Sequence, residues 1–171
     1  QDKLSIKEIF DRLHDYTFWP VTIPMYKANF NLQTFPDDEV QISEFVQLTA
    51  MLHGHPNGAN TYRLEIGNTV IVYCTDIEHP EKQLNQNVIN FAKDADILIK
   101  DAQFTDEELP DQKGWGQSSG QQATVEGMKE NIKRRVLNHQ NRANDDATIR
   151  EMEKNAKAVF QNTIADREGL V

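Results

Sequence analysis

The sequence predicts an α/β fold in which antiparallel strands are followed by strands that alternate with helices. Short alternating or apolar runs fill the chain up to Cys74, and segments with helical spacing separate the strands after Gln83. Strands that alternate with helices form a sheet whose outer face the helices cover. The length of 171 residues is that of one domain.

The first part of the chain is predicted to contain one helix and then strands. Ser5 as N-cap and Glu8 three residues later form a capping box, so a short helix opens the chain. Alternation predicts strands at 26–32 and 40–42, with a turn at 36–38 between them.

A hairpin is predicted in the middle of the chain. Strands are expected at 46–52, 61–66 and 69–74, and Gly67 and Asn68 form a two-residue turn between the last two. Asp76 then stands just beyond the end of a buried strand.

The second part is predicted to alternate between the two kinds of element. The expected order is a helix from residue 83, a strand at 96–100, a helix over about 120–131, a strand at 134–137 and a helix from 145 to about 160.

Composition and charge disfavour several classes of protein. A net charge of -9 disfavours nucleic-acid binding, which needs clustered basic residues, and the cluster at 133–135 is interpreted as the solvated entry to a strand. The single cysteine, Cys74, is predicted to be a small buried hydrophobe, which favours a reducing, cytoplasmic site. No run approaches the roughly 20 apolar residues of a membrane span. The chain begins without Met or a signal-peptide pattern, so we expect its natural N-terminus to lie upstream.

Four ionisable side chains fall just after predicted strands: His55, Asp76, Asp101 and His139. In α/β proteins, functional groups gather at the carboxyl ends of strands. Imidazole and carboxylate groups bind zinc, manganese or iron, and an aspartate that bridges two cations is typical of two-metal hydrolases. Purely structural roles remain open for three of them. His55 could be a turn residue before Pro56, Asp76 could cap a turn, and His139 could belong to a polar loop before a helix.

Longer motifs occur in a definite order: 55–56, 62–65, 73–79, 95–105, 114–116 and 136–139. In this order they resemble the C-terminal half of a metallo-β-lactamase-fold hydrolase, in the branch of cyclic-nucleotide-phosphodiesterase-like and tRNase-Z-like proteins. The resemblance covers roughly residues 18–171. It implies that residues 1–171 form a single domain, the second half of an αββα sandwich, with a mixed sheet and outer helices.

The resemblance also implies the roles of particular residues. His55 and His139 would be metal ligands, and Asp76 would be the catalytic carboxylate that bridges two metals. Asp101 would be a second catalytic group near the site, either behind the metal ligands as a support for them or on the substrate side. Three further residues would lie near the site, namely His79, Trp115 and Gln117.

The implied activity is metal-dependent hydrolysis of a phosphodiester or similar small ester. A metal-activated water would attack the ester, with two divalent ions as cofactors: zinc in the first place, and manganese or iron as alternatives. The implied partners are the substrate and either an N-terminal half of the same fold or a second copy of the chain. Neither a membrane nor nucleic acid is expected.

Two departures from the family favour a rival interpretation. No segment matches the family's T-H-x-H-x-D-H motif, because His14 and His53 lack that spacing. Gln117 stands where the family has a histidine after Gly-Trp-Gly, and an amide cannot transfer a proton at neutral pH. The rival is therefore a binding or regulatory module that kept the fold but lost catalysis.

Overall fold

The computed structural model describes residues 4–32, 39–56, 58–79, 85–127 and 131–169. The chain divides into two compact units, Gln1–Asp37 and Asp38–Val171. The first unit contains helix α1 (Ile6–Leu13) and a short 3-10 helix (Ile23–Met25). α1 begins at the predicted capping box: the Ser5 hydroxyl accepts a hydrogen bond from the Glu8 backbone, and the Glu8 carboxylate accepts one from the Ser5 backbone at 2.8 Å.

The prediction of a strand over residues 26–32 is wrong, since these residues lie outside regular secondary structure. Their aromatic side chains pack together instead. The rings of Tyr26 and Phe30 are 5.5 Å apart in a T-shaped arrangement, and Phe10 of α1 is 6.5 Å from Phe30. The alternation therefore reflects an aromatic cluster. The turn predicted at 36–38 lies outside the described residues.

The described part of the second unit forms a mixed sheet of seven strands: β1 (Glu39–Ser43), β2 (Val46–His53), β3 (Ala59–Ile66), β4 (Thr69–Cys74), β5 (Ile97–Asp101), β6 (Arg134–Asn138) and β7 (Thr163–Ala165). The strands lie in sequence order. β1 to β4 are antiparallel, whereas β4 to β7 are parallel. Three helices connect the parallel strands: α2 (Gln86–Ala92), α3 (Gly120–Gly127) and α4 (Asp146–Val159). This confirms the predicted α/β fold with a mixed sheet.

Turn and capping residues set several element boundaries. Gly67 has a φ of 57° in the two-residue hairpin turn, as predicted, and Ile66 pairs with Thr69 across it. The carboxylate of Asp145 accepts a hydrogen bond from the Thr148 backbone at 2.8 Å and so caps α4. The three-residue strand β7 was not predicted. None of the helices in the described ranges is long and apolar enough to cross a membrane.

The two faces of the sheet differ in how they are covered. One face holds the buried core, where Val72, Leu98 and Leu137 pack against residues of α2, α3 and α4. Strand register places a second set of apolar side chains on the opposite face, which we call the open face: Val40, Leu48, Tyr62, Leu64, Ile71, Tyr73, Ile97, Ile99, Val136 and Ile164. Each of these residues is half-buried or exposed. Among the described residues, the sheet therefore has one packed face and one apolar face that is covered only in part.

The predicted burial is correct for Cys74 and wrong for Arg135. Cys74 is fully buried in β4, as predicted, and the Thr61 hydroxyl donates to its Sγ at 3.1 Å. The prediction of a solvated basic cluster is wrong for Arg135, which is fully buried with its guanidinium carbon 5.2 Å from the centroid of the Phe160 ring. The aromatic ring supplies a favourable contact for this buried charge, which no local sequence pattern predicts.

Candidate active site

The four predicted residues lie at one edge of the sheet. Asp76 follows β4, Asp101 ends β5, and His139 follows β6. These strands are parallel neighbours, so their carboxyl ends meet at the same edge. β2 runs in the same direction as β4 through two antiparallel pairings, and His55 follows β2 at this edge.

Asp76 and His139 are brought together, and Gln117 bridges them. Nε2 of His139 lies 3.8 Å from Oδ1 of Asp76. The Gln117 amide donates from Nε2 to that same Oδ1 at 3.1 Å, and its Oε1 lies 3.1 Å from Nδ1 of His139. When Oε1 accepts a hydrogen bond from Nδ1–H, Nε2, which faces Asp76, is the unprotonated nitrogen of the neutral ring.

The backbone at both residues turns sharply after the strand. Asp76 has a φ of 58° and His139 a φ of 59°, which is the left-handed region. Aspartate and histidine visit this region more often than most side chains, although it is uncommon for any residue except glycine. The two turns leave both side chains 40% exposed, within reach of a ligand.

The carboxyl group of Asp76 is held in its ionised form. Burial alone would raise its pKa, but hydrogen bonds from Gln117 and Thr75 and the nearby imidazoles of His139 and His55 outweigh this effect, so the pKa lies below its usual value. At neutral pH this side chain is therefore an anionic acceptor.

Asp101 lies beneath the site. It is fully buried, with Oδ2 accepting from the Ser118 backbone at 2.8 Å and Oδ1 lying 2.9 Å from the Ser118 hydroxyl. Burial raises its pKa to about 6, although nearby Lys100 and the hydrogen bonds from Ser118 oppose the rise. Both oxygens are bound to Ser118, so this geometry suits a positioning role rather than contact with substrate.

Glu78 is a site residue that the sequence did not single out. Its two carboxylate oxygens accept hydrogen bonds from the backbone of Gly114 at 2.9 Å and of Gly116 at 2.8 Å. Its own backbone donates to Gly54 at 3.2 Å. Glu78 thus joins the turn before His55 to the loop of residues 114–119. The sequence carries no signal for this link, because 36 residues separate Glu78 from Gly114.

His79 supports a neighbouring helix. The imidazole is buried, and Nδ1 accepts a hydrogen bond from the Asn85 backbone at 3.4 Å, just before α2. Burial, followed by the nearby Lys100 and His53, lowers its pKa to about 3, so the ring is neutral at physiological pH. This hydrogen bond ties His79 to the start of α2.

The described side chains do not supply enough donors for the implied pair of metal ions. Within the described ranges, no three His, Cys, Asp or Glu side chains are grouped so that they could hold a metal ion. Asp76 and His139 form a pair of suitable donors, whereas a zinc site takes at least three protein ligands. These residues alone therefore do not fit a complete metal centre.

Two ribonuclease Z sequences are similar to the chain. The protein of Gemmatimonas aurantiaca is 36% identical over 78 residues, which are 46% of this chain and 24% of that protein. The protein of Lactobacillus acidophilus is 33% identical over 126 residues, which cover 64% of this chain and 40% of that protein. The chain thus spans less than half the length of the ribonuclease Z sequences that it matches. No family model matches it.

Several solved structures resemble the chain. The metallo-β-lactamase fold protein YhfI of Bacillus subtilis has a TM-score of 0.67 at 19% identity, over 83% of this chain and 57% of that protein. The short form of human tRNase Z has a TM-score of 0.57 at 16% identity, over 77% and 44%. Zn²⁺-bound PqqB of Methylobacterium extorquens has a TM-score of 0.55 at 17% identity, over 81% and 50%. These likenesses concern the fold.

Gly116→Ala should disturb the position of His55. Both Gly114 and Gly116 are left-handed, with φ of 85° and 80°, so each alanine adds backbone strain of about 1 kcal/mol. A Cβ at Gly116 would also lie 2.7 Å from Nε2 of His55 and 2.8 Å from Pro56, whereas one at Gly114 meets nothing within 4 Å. We expect Gly116→Ala to lower the free energy of unfolding by clearly more than Gly114→Ala, and to shift the NMR signals of His55. Equal losses in the two variants, measured by urea denaturation, would contradict this packing.

Asp101 should make stability depend on pH in a particular direction. Its pKa in the folded state is about 6, above the ordinary 3.8, so the folded protein holds this proton more tightly. The stability that it contributes is present below about pH 4 and is lost as pH rises through 6, by on the order of 3 kcal/mol. Between pH 4.5 and 7.5, the free energy of unfolding of the wild type should therefore fall relative to Asp101→Asn.

Asp145 provides a control of opposite sign. The hydrogen bonds from the backbone and side chain of Thr148 lower its pKa, so the stability that it contributes is present above its unfolded pKa and lost on acidification. Relative to Asp145→Asn, the wild type should gain stability as pH rises. If both aspartates give the same sign in urea denaturation, the assignment of a raised pKa to Asp101 fails.

Proposed function

The chain has the metallo-β-lactamase fold that its sequence predicts, and we propose that it forms part of a hydrolase of that superfamily that cleaves a phosphodiester. The observation that carries the proposal is the pairing of Asp76 with His139 at the carboxyl edge of the sheet, with 3.8 Å between their side chains. The similarity to two ribonuclease Z sequences supports the choice of a phosphodiester.

Each residue has a definite task in this proposal. Asp76 is an ionised acceptor beside the substrate, and His139 is held by Gln117 so that Nε2 faces Asp76. His55 lies against Gly116 and completes this group of side chains. Asp101 is a positioning residue that fixes Ser118, next to Gln117.

The proposal includes divalent cations, zinc first and manganese or iron as alternatives. Histidine and aspartate are ligands for all three. Since Asp76, His139 and His55 supply only part of a site, we assign the remaining ligands to polypeptide that this chain does not include. The support is that the chain covers 24% and 40% of the two ribonuclease Z sequences.

A second function is favoured by one specific observation. The Gln117 amide satisfies both Asp76 and His139 directly, and it cannot donate a proton to a leaving group at neutral pH. A module that binds a phosphate ester without cleaving it would keep the same contacts. Turnover separates the two candidates.

The charge of the chain supports a small substrate. A net charge of -9 favours a small phosphodiester over a long nucleic acid, whose backbone needs a basic surface.

We place the protein in the cytoplasm, supported by a sole cysteine that is buried in β4. Fractionation of the source cells tests the location, and recovery in a secreted fraction would refute it.

We also propose that the open face is an interface. Apolar side chains cover this face of the sheet from β1 to β7, and none of those named above is buried. Contiguous apolar surface of this extent marks an interaction site. Its natural occupant is the remaining part of the same fold, because the chain covers only 57% and 44% of two proteins with that fold.

Asp76→Asn should abolish hydrolysis in the intact protein purified from its source. Removing the negative charge leaves an amide that binds a cation weakly, and we expect the rate with bis(p-nitrophenyl) phosphate to fall about 100-fold or more. Intact mass and metal analysis accompany the assay: the proposal expects a mass well above 19.6 kDa and about two divalent ions per chain.

Asp146→Asn is the matched control, since this carboxylate lies in the first turn of α4 with its side chain 90% exposed. It should leave the rate unchanged. A mass equal to that of this chain, with no metal and no hydrolysis, would refute the enzyme and favour the binding module.

The open face should drive self-association of the 171-residue chain when it is produced alone. Tyr73→Lys places a charge on this face, where the tyrosine is 40% exposed, and should shift the chain toward monomers in sedimentation experiments. Asn68→Lys, in the exposed hairpin turn, should leave association unchanged. A wild-type chain that remains monomeric at tens of micromolar would argue against an interface on this face.

A further inference from the structure

Trp115 differs from its neighbours in the 114–119 loop. The carboxylate of Glu78 holds Gly114 and Gly116, Gln117 bonds to Asp76 and His139, Ser118 to Asp101, and Ser119 to Asp106 at 2.5 Å. The Trp115 side chain, in contrast, is 64% exposed. The loop therefore fixes its backbone and presents one large aromatic ring to solvent.

Hydrogen bonds and close packing hold the loop on both sides of Trp115. Hydrogen bonds from backbone N–H groups to a carboxylate are among the stronger ones, and Glu78 accepts two of them on either side of Trp115. Gly116 packs so closely on His55 and Pro56 that no side chain fits there. A ring held out by a rigid loop loses little conformational freedom when a ligand covers it, which favours binding.

The indole belongs to the loop that lines the candidate active site. Gln117, the bridge between Asp76 and His139, is two residues from Trp115, a span of at most about 7 Å of backbone. The backbone of Trp115 thus lies within a few ångströms of the residue that joins Asp76 to His139, and its ring is exposed to solvent.

The exposed ring and the net charge of the chain together indicate the class of ligand. An exposed indole stacks on flat rings, and every nucleobase presents such a face. The chain carries a net charge of -9, which disfavours a long polyanion. A mononucleotide or dinucleotide combines a stackable ring with one or two phosphates.

We propose that Trp115 is a stacking platform for the base of a nucleotide substrate. This deepens the proposed function and rests on it for the place of the phosphate. Trp115 contributes binding of the base, while the side chains around Asp76 handle the ester.

Tryptophan fluorescence tests the proposal in the intact protein. The difference in emission between Trp19→Phe and the double variant Trp19→Phe/Trp115→Phe isolates Trp115 from every other tryptophan of the intact protein. The emission of Trp115 should be that of a solvent-exposed indole and should be quenched saturably by adenosine 5′-monophosphate, but not by ribose 5-phosphate, which lacks the base. A blue-shifted emission that the nucleotide leaves unchanged would mean that other polypeptide covers the ring, and would overturn the proposal.

Calorimetry with variants measures the size of the effect. Trp115→Ala should weaken binding of adenosine 5′-monophosphate about 10-fold or more, and Trp115→Phe should retain most of the affinity. Binding of ribose 5-phosphate should not change in either variant. Phe45→Ala, which removes an aromatic side chain that is 69% exposed near β1, should have no effect on the nucleotide. Equal affinity of wild type and Trp115→Ala for the nucleotide would overturn the platform.

The two proposals fail separately. If the intact protein cleaves bis(p-nitrophenyl) phosphate but binds nucleotide and ribose 5-phosphate alike, the platform is refuted and the hydrolase stands. If binding depends on the base and on Trp115 but no hydrolysis occurs, the platform stands and the proposed reaction is refuted.

Discussion

The site depends on carboxylates that bind the backbone and side chains of one loop. Asp76 and Glu78 follow β4 and Asp101 ends β5, and each accepts hydrogen bonds from residues between Gly114 and Ser118. Without these bonds, a loop with two left-handed glycines would have many accessible conformations. The position of Gln117 between Asp76 and His139, and the exposure of Trp115, follow from this anchoring.

The sheet supplies the frame for those contacts. Its parallel half carries the carboxyl ends of β4, β5 and β6 to one edge, so side chains more than 60 positions apart in sequence, such as Asp76 and His139, become neighbours. The helices pack on the face of these strands that lies opposite the open face. Packing thus determines where the site forms, and local turns determine which way its side chains point.

Much of this architecture could be predicted from local sequence. The capping box at Ser5, the turn at Gly67 and the run of β4 each depend on neighbours in sequence, and the structure confirms them. The strand at 26–32 was wrong because alternating aromatic residues also suit a cluster of rings. Arg135 was misjudged because its burial depends on Phe160, which lies 25 positions later.

The candidate site was predictable only in part. Strand ends pointed to Asp76, Asp101 and His139, since polar residues after apolar runs are visible in the sequence. The burial of Asp101 beneath Ser118 and the hydrogen bonds of Glu78 were not, because both depend on a loop that approaches from a distant part of the chain. Long-range hydrogen bonds leave no periodic trace, unlike strands and helices.

The left-handed conformation of Asp76 and His139 has a consequence for how this protein could change over time. Each of these side chains carries backbone strain of about 1 kcal/mol that glycine at the same position would relieve. Drift toward greater stability therefore acts against the two residues that define the site, and only a use for their side chains opposes it. A variant selected only for thermal stability would keep its sheet and would replace Asp76 and His139 among the first residues to change.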